Sequence, residues 1–476
     1  MIVVLSLIVT GVWSVTVAGA RVSAVSSVDL GLYSLFGQYD KDFMEHFGLL
    51  FVDGGTGEAD LQMGRIYHEL EGTVDYNLFA ESFTSEMRPA VNQGTIEGYT
   101  LATDGGGSIF KEQVIEYMKE TLGAQGVQAL LEKVQSESET VKKQEEDKTK
   151  IDSGDIEDYE AVKQAAEEAR ALAEEEANEN DDMTVLPPVE ETEVVNPIEI
   201  IKTLKEMGTL TLLIPQEEQL SRKEIDLATV VSQRTLQQGM GVIPSSNDND
   251  GITNEFLFQE YLLSRCGSYT NPVAAAALEY QVEYILQGKS SDIENLKGVA
   301  NRLLLIREAA NVLHLIADSE KKAQASGMAL AISTAIGMPQ AAQVVEGVLI
   351  ACWAFGESVI DVRALFRGEK VPLIKTGNSW QLSLDQLANL PQLLNGEMGG
   401  SDKGLDYQGY LRILLLLKKS EEKVMRTMDA AEMTMRGIGG RENFRMDSCL
   451  FSIDVKMQIG IWQNTYRISR SYGYDM

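Results

Sequence analysis

Cysteine is almost missing from this chain: Cys266, Cys352 and Cys449 are the three in 476 residues. That number and scatter exclude a disulfide framework and a thiolate zinc site. Cys352 lies in an apolar helical stretch and reads as a plain core residue. A Cys266–Cys449 disulfide is open to a chain outside the cytosol, but nothing in the spacing requires one. Histidine is equally scarce, and His46, His68 and His314 never pair at i+4, so the His-Glu-x-x-His zinc helix is absent. Each histidine reads as structural, because no partner ligand sits at a usable spacing. Basic residues are outnumbered 41 to 72 by acidic ones, a net charge of −31. Such a balance argues against nucleic acid and against peripheral binding to anionic lipid.

The devices of common chemistries are missing too. There is no Gly-x4-Gly-Lys-Ser/Thr loop, and Gly105–Gly107 is a bare glycine run without a following lysine. No Gly-x-Ser-x-Gly elbow occurs. Ser246-Asn247-Asp248-Asn249-Asp250-Gly251 imitates the start of a calcium loop, but Leu257 stands where the bidentate glutamate belongs. It reads as an Asn/Asp turn. Two carboxylate sets remain: Glu279 with Glu283 on one helical face, and Glu357 with Asp361 four apart in an apolar helix. A di-metal site would add Glu-x-x-His pairs, and Asn311 stands where His314 needs its glutamate. Pairing with arginines such as Arg302, Arg307 or Arg363 is the simpler expectation. No catalytic, cofactor or metal residue is assigned, and a non-enzyme is expected.

What the chain does have is an opening without charge. Met1 to Ala20 reads MIVVLSLIVTGVWSVTVAGA, and Arg21 is the first charged side chain. About 20 apolar residues cross a hydrocarbon core of roughly 30 Å. A cleaved signal is the rival, since Ala18-Gly19-Ala20 has the small-x-small form of a cleavage site. Against it stand the missing basic residue before the run and a run longer than the usual signal core. Val22, Val25, Val28, Leu32, Leu35, Phe36, Tyr39, Phe43 and Phe47 then recur at steps of three and four. The pattern predicts one helix from Ile2 to Phe47, apolar all round and then amphipathic.

The fold class expected is predominantly α with minor β, in four segments. Residues 1–20 form a transmembrane segment. Residues 21–109 carry the amphipathic extension and a small α+β region, with GLLFVDGGTG as a short strand or extended turn and TVDYNLFAESF and GTIEGYTLAT as strands. Residues 110–195 form an acidic helical hairpin or a disordered arm. It opens on Phe110, Val114, Met118 and Leu122 at i+4 spacing. From Glu137 to Glu191 it holds 20 acidic and six basic residues. Leu130 and Leu131 would face the stripe Tyr159, Val162, Ala166, Ala169 and Ala173 across a turn at Ile151–Gly154, and Pro187-Pro188 closes the arm. Residues 196–476 form a helical body with helices near 198–207, 256–265, 278–285, 293–313, 328–336, 344–366 and 407–436. The alternation of Cys449, Phe451, Ile453 and Val455, and of Tyr466 and Ile468, predicts a terminal β-hairpin.

Several stretches resemble a known family. ARVSAVSSVDLGLYSLFGQYDKDFMEHFGLLFVD, LEYQVEYILQGKSSDIENL, RLLLIREAANVLHLIAD, WAFGESVIDVRALFRGEKVPL and DYQGYLRILLLL, with Met446–Cys449, are similar to a bacterial membrane-protein family of unknown function. Its members resemble pseudopilin-like components encoded near tight-adherence pilus genes. The resemblance supplies no catalytic residue. Together with the uncharged opening it implies a single-pass cell-membrane protein, and the large acidic remainder favours a bulk of the chain that is extracytoplasmic. Its partners would be the membrane, other envelope or pilus-assembly proteins and further copies of itself, and not nucleic acid. Members open on a short polar or basic leader, whereas Met1 here stands at the apolar run, so either the true start lies upstream or the leader is lacking.

Overall fold

The computed structural model describes residues 1–78, 88–122, 124–151, 155–179, 196–243, 251–273, 276–396 and 398–474. Helix α1 runs from Ile2 to Phe36 and stops short of the expected Phe47. The break has a local cause. Gly37 closes the last turn onto Tyr33 O, and Asp40 begins a new helix by accepting from Phe43 N at 3.0 Å. An aspartate that offers its side chain to the first turn is a helix start, and it outweighs the continuing 3,4 pattern. Helix α2, Lys41–Phe47, ends on Gly48 at φ 72°.

Strand β1 is Val52–Asp53, followed by helix α3, Met63–Asn77. The strand expected at TVDYNLFAESF is corrected here. Thr73–Asn77 is the last turn of α3, where Ile66, Leu70 and Val74 bury one face, and residues 79–87 lie outside the described part. Strand β2, Ala90–Leu101, contains most of GTIEGYTLAT. Helix α4, Asp104–Leu122, carries three glycines at positive φ, Gly105–Gly107, just inside its start, and buries Phe110, Val114 and Met118.

Helices α5, Ala124–Thr149, and α6, Ile156–Glu179, make up the acidic segment. Leu131, Val134 and Val141 of α5 and Tyr159 of α6 are buried in the main core, while Leu130 is exposed. The α6 stripe is covered as far as Ala166, and Ala169 is exposed. The turn at 152–154 and Pro187-Pro188 lie outside the described residues.

In the body, Asn196 caps α7, Pro197–Glu206, and α8 is Thr209–Leu213. Helices α9 to α13 follow at Gly251–Arg265, Gln281–Gln287, Asp292–Ala317, Ser319–Ala335 and Ala342–Phe366. Two single turns, α14 (Leu384–Leu387) and α15 (Leu390–Leu393), come next. The expected helix 407–436 is two helices, α16 (Tyr407–Leu417) and α17 (Ser420–Arg436), parted by extended backbone at Lys418 and Lys419. Helix α13 is the buried axis, packed on α11 and α12, with α5 against α11 and α6 against α13.

The tail forms the expected hairpin, β3 (Cys449–Ile461) and β4 (Asn464–Gly473). β3 is the centre of an antiparallel four-stranded sheet. β2 lies along one side, from Ala90↔Gly460 to Leu101↔Leu450. β4 lies along the other from Ser452↔Gly473 to Ile461↔Asn464, with β1 beside Cys449 and Leu450. One face of the sheet, α3 and the second half of α1 close a second core, distinct from that of the helical body.

Candidate functional site: an apolar helix built into the sheet

Among the described residues, α1 is the one helix long and apolar enough to cross a membrane. Its first half is bare, with Ile2 83% exposed, while Ala20 is 1% exposed and starts the packed half. The packing face is Ala20, Ala24, Ser27, Val28, Gly31, Leu32, Leu35 and Phe36. Val22, expected in the stripe, is instead 67% exposed. Small residues let α3 approach closely: a Cβ on Gly31 would stand 2.7 Å from Val74 Cγ2. Val28, Leu32, Leu35 and Phe36 were expected on this face, whereas Ala20, Ala24, Ser27 and Gly31 were not, because small residues carry little apolar signal.

β4 lies beside α1, and their contacts advance in step. Trp13 meets Trp462 edge to face with ring centres 5.6 Å apart. The Arg21 guanidinium lies 5.5 Å from the Tyr466 ring centre. Arg470 Nε donates to Asp29 Oδ1 at 2.7 Å. Phe36 meets Tyr472 and Tyr474, each at 5.2 Å, and Tyr474 OH donates to Phe36 O at 2.8 Å. Eight residues of helix rise about 12 Å and four of strand about 13 Å, so the two elements stay in register.

The carboxylates singled out in the sequence sit deep in the helical body. Glu357 and Asp361 share one face of α13, and Lys375 Nζ donates to both, at 2.5 and 2.8 Å. Arg307 Nε donates to Asp361 Oδ2 at 3.1 Å, and its Nη1 donates to Tyr410 OH and Pro372 O. Gln381 N and Leu382 N complete Glu357. Burial raises the Glu357 carboxyl, with Lys375 opposing. The expected arginine pairing thus holds for Arg307. Arg302 pairs with Glu145, and Arg363 donates to Leu212 O and Leu394 O. Lys375 was not foreseen, because it comes from a loop with no periodicity.

Glu279 precedes α10 and pairs with Lys223 at 3.2 Å, so it does not share a helical face with Glu283. Glu283 is fully buried and accepts from Tyr269 N and Tyr407 OH at 2.8 and 2.7 Å. Burial pushes its carboxyl up to about 7. His46 Nδ1 lies 2.8 Å from Asp42 O, His68 stands 3.6 Å from Glu71, and His314 stacks on Trp380. All three cysteines are free and buried, and burial pushes the Cys266 and Cys352 thiols up to about 12. The 246–250 loop lies outside the described residues. A cleft of about 1070 Å³ opens beside α7 and α8, walled by Tyr269, Tyr280, Arg363, Phe366 and Leu394.

Fold and site together define a mainly helical protein whose apolar N-terminal helix packs its second half against the sheet and α3. The chain belongs to a family of unknown function (DUF5702), whose model matches residues 187–461, more than half of the chain. The match covers most of the helical body and β3 and leaves α1 outside, whereas the resemblance seen in the sequence took in both ends. No curated protein and no solved structure matches the chain.

Proposed function

We propose that this is a single-pass protein of a bacterial cell envelope, anchored by α1 with its body outside the cytoplasm. It acts by protein–protein contact as a structural or assembly component of a pilus-like or secretion system. The observation that carries the anchor is the change of environment within α1: a bare apolar half runs without a break into a half buried against α3 and the sheet. A helix locked into the fold at one end and bare at the other transmits position from membrane to body. The ion-paired state of Glu357 and Asp361 favours a structural role for these acids, in keeping with a non-enzyme.

The test is alkaline extraction of cell membranes followed by intact-mass measurement. Retention in the membrane with Met1–Ala20 still attached is expected. A soluble chain beginning at Arg21 would establish the second reading, a secreted binding protein released at Ala18-Gly19-Ala20. Loss of surface pili or of a secreted product on gene deletion supports the assembly role, and unchanged surface structures and secretion remove it.

A further inference from the structure

We propose that Lys375 and Glu357 condense in the folded chain to an internal isopeptide bond, which ties α13 to the loop that follows it. The proposal is independent of the anchor and of the partners of the chain. It starts from a nucleophile and a carboxyl held together where solvent is excluded. Lys375 Nζ lies 2.5 Å from Glu357 Oε1, and the two side chains are 1% and 0% exposed. Beside them stand Trp380, whose ring centre is 5.8 Å from the nitrogen, and Trp353, which meets Trp380 edge to face. Groups fixed at such a separation react at effective concentrations far above any reached in solution.

The groups that amide formation needs surround this pair. Gln381 N donates to Glu357 Oε1 at 3.0 Å, and Leu382 N donates to Oε2 at 2.8 Å. Two backbone N–H groups aimed at one carboxyl are the donors that a developing oxyanion requires. Asp361 Oδ1 is 2.8 Å from the same nitrogen, so a proton acceptor stands beside the nucleophile. Arg307 Nε and Asn311 Nδ2 donate to the other oxygen, Oδ2, which leaves Oδ1 to Lys375. Ser379 O accepts from Nζ at 3.0 Å and fixes its direction.

A buried ion pair has lost most of its hydration, so a proton passed from Lys375 to Glu357 leaves an amine and a carboxylic acid. Burial favours that acid, since it raises the Glu357 carboxyl, with Lys375 opposing. The amine attacks Cδ of Glu357 and the C–N bond forms. Asp361 takes a proton from the nitrogen and returns it to the departing hydroxyl. The C–O bond breaks and one water leaves, with no oxidant or further reactant. Asp361 keeps Arg307 as its partner, so the site stays neutral. Folding brings the charges together first, and the bond forms only from that ion-paired cluster. All three cysteines are free, so the link gives a covalent closure that they do not.

Intact-mass measurement of the full chain, followed by protease digestion and peptide sequencing, tests the bond directly. The expected chain is one water lighter than its sequence, and digestion yields a branched peptide that joins Glu357 to Lys375. Lys375→Arg keeps the cation but removes the amine, and should have full mass. Asp361→Asn keeps both reacting groups and should also be isolated at full mass. The wild-type reading decides the matter whether or not either variant folds. A wild-type chain of full mass, with Glu357 and Lys375 in separate linear peptides, overturns the proposal. So does a missing water that maps elsewhere or persists in Lys375→Arg. An Asp361→Asn chain that carries the bond overturns the proton transfer assigned to Asp361.

Discussion

Lys375 places its ammonium 2.8 Å from the Asp361 carboxylate at a site where the side chains are 1% and 3% exposed. The same nitrogen meets Glu357, and Arg307 balances Asp361 from α11, so two cations and two anions share one buried cluster. Removing one partner of such a set strands a charge in low dielectric, which costs about 3–5 kcal/mol. Lys375→Met should destabilise the detergent-solubilised chain by that amount in urea unfolding. Lys375→Met with Glu357→Gln should recover part of the loss by restoring neutrality. A single variant within about 1 kcal/mol of wild type would show that the cluster does not hold α13.

Helices α11 and α13 and the β3–β4 hairpin were legible because their side-chain periods repeat over many residues. Lys375 was not, since a loop residue reaches its partner by tertiary approach alone. The end of α1 was hidden for a related reason. Tyr39, Phe43 and Phe47 continue the 3,4 pattern, and the cap that breaks it is the Asp40 side chain accepting from Phe43 N, which the apolar spacing does not register. α3 was read partly as a strand because Thr73, Val74 and Tyr76 favour one, yet Ile66, Leu70 and Val74 are the buried i, i+4, i+8 face. The two lysines between α16 and α17 carry no conventional stop signal, so that break too was invisible.

Gly31 tests the α1–α3 seam. Alanine there gains about 1 kcal/mol of helix propensity but puts its Cβ against Val74. Leucine cannot be accommodated without moving α3, and overpacking of this kind costs about 1–3 kcal/mol. Gly31→Leu should lower the unfolding midpoint and open α1 and α3 to limited proteolysis in detergent. Asp29→Asn, which breaks a half-exposed ion pair to Arg470, should change stability by under about 1 kcal/mol. An equal effect of the two variants would contradict the packing described for α1.

Glu255 should make the body sensitive to acid. Against the penalty of burial, Lys111, Lys423 and Ser420 together pull its carboxyl down to about 2 from 4.5. A lowered folded value means that its stabilisation is present above 4.5 and is lost as pH falls towards 2. Glu255→Gln should cost about 1–3 kcal/mol at neutral pH. The lower end applies because the Glu255 side chain is about a quarter exposed and therefore screened. Urea unfolding across pH should show variant and wild type converging below 4.5, and a gap independent of pH would remove the assignment.

Glu283 should act in the opposite sense. Burial raises its carboxyl to about 7, with the bonds from Tyr269 N and Tyr407 OH opposing. A raised folded value means full stability below 4.5, a decline as pH climbs to about 7, and a constant penalty above it. For a fully buried group the decline is on the order of 3 kcal/mol. Glu283→Gln should abolish that slope. Its absolute stability is a poorer guide, because Oε2 has no hydrogen-bond partner among the described residues and an amide there would leave buried donors unpaired. Tyr407→Phe separates the causes. It deletes a hydrogen bond that favours the carboxylate, so the folded value should rise further and the decline should extend to higher pH. Unfolding free energies measured from pH 4.5 upward check both, and a Tyr407→Phe decline that ended earlier than in wild type would contradict the geometry at Glu283.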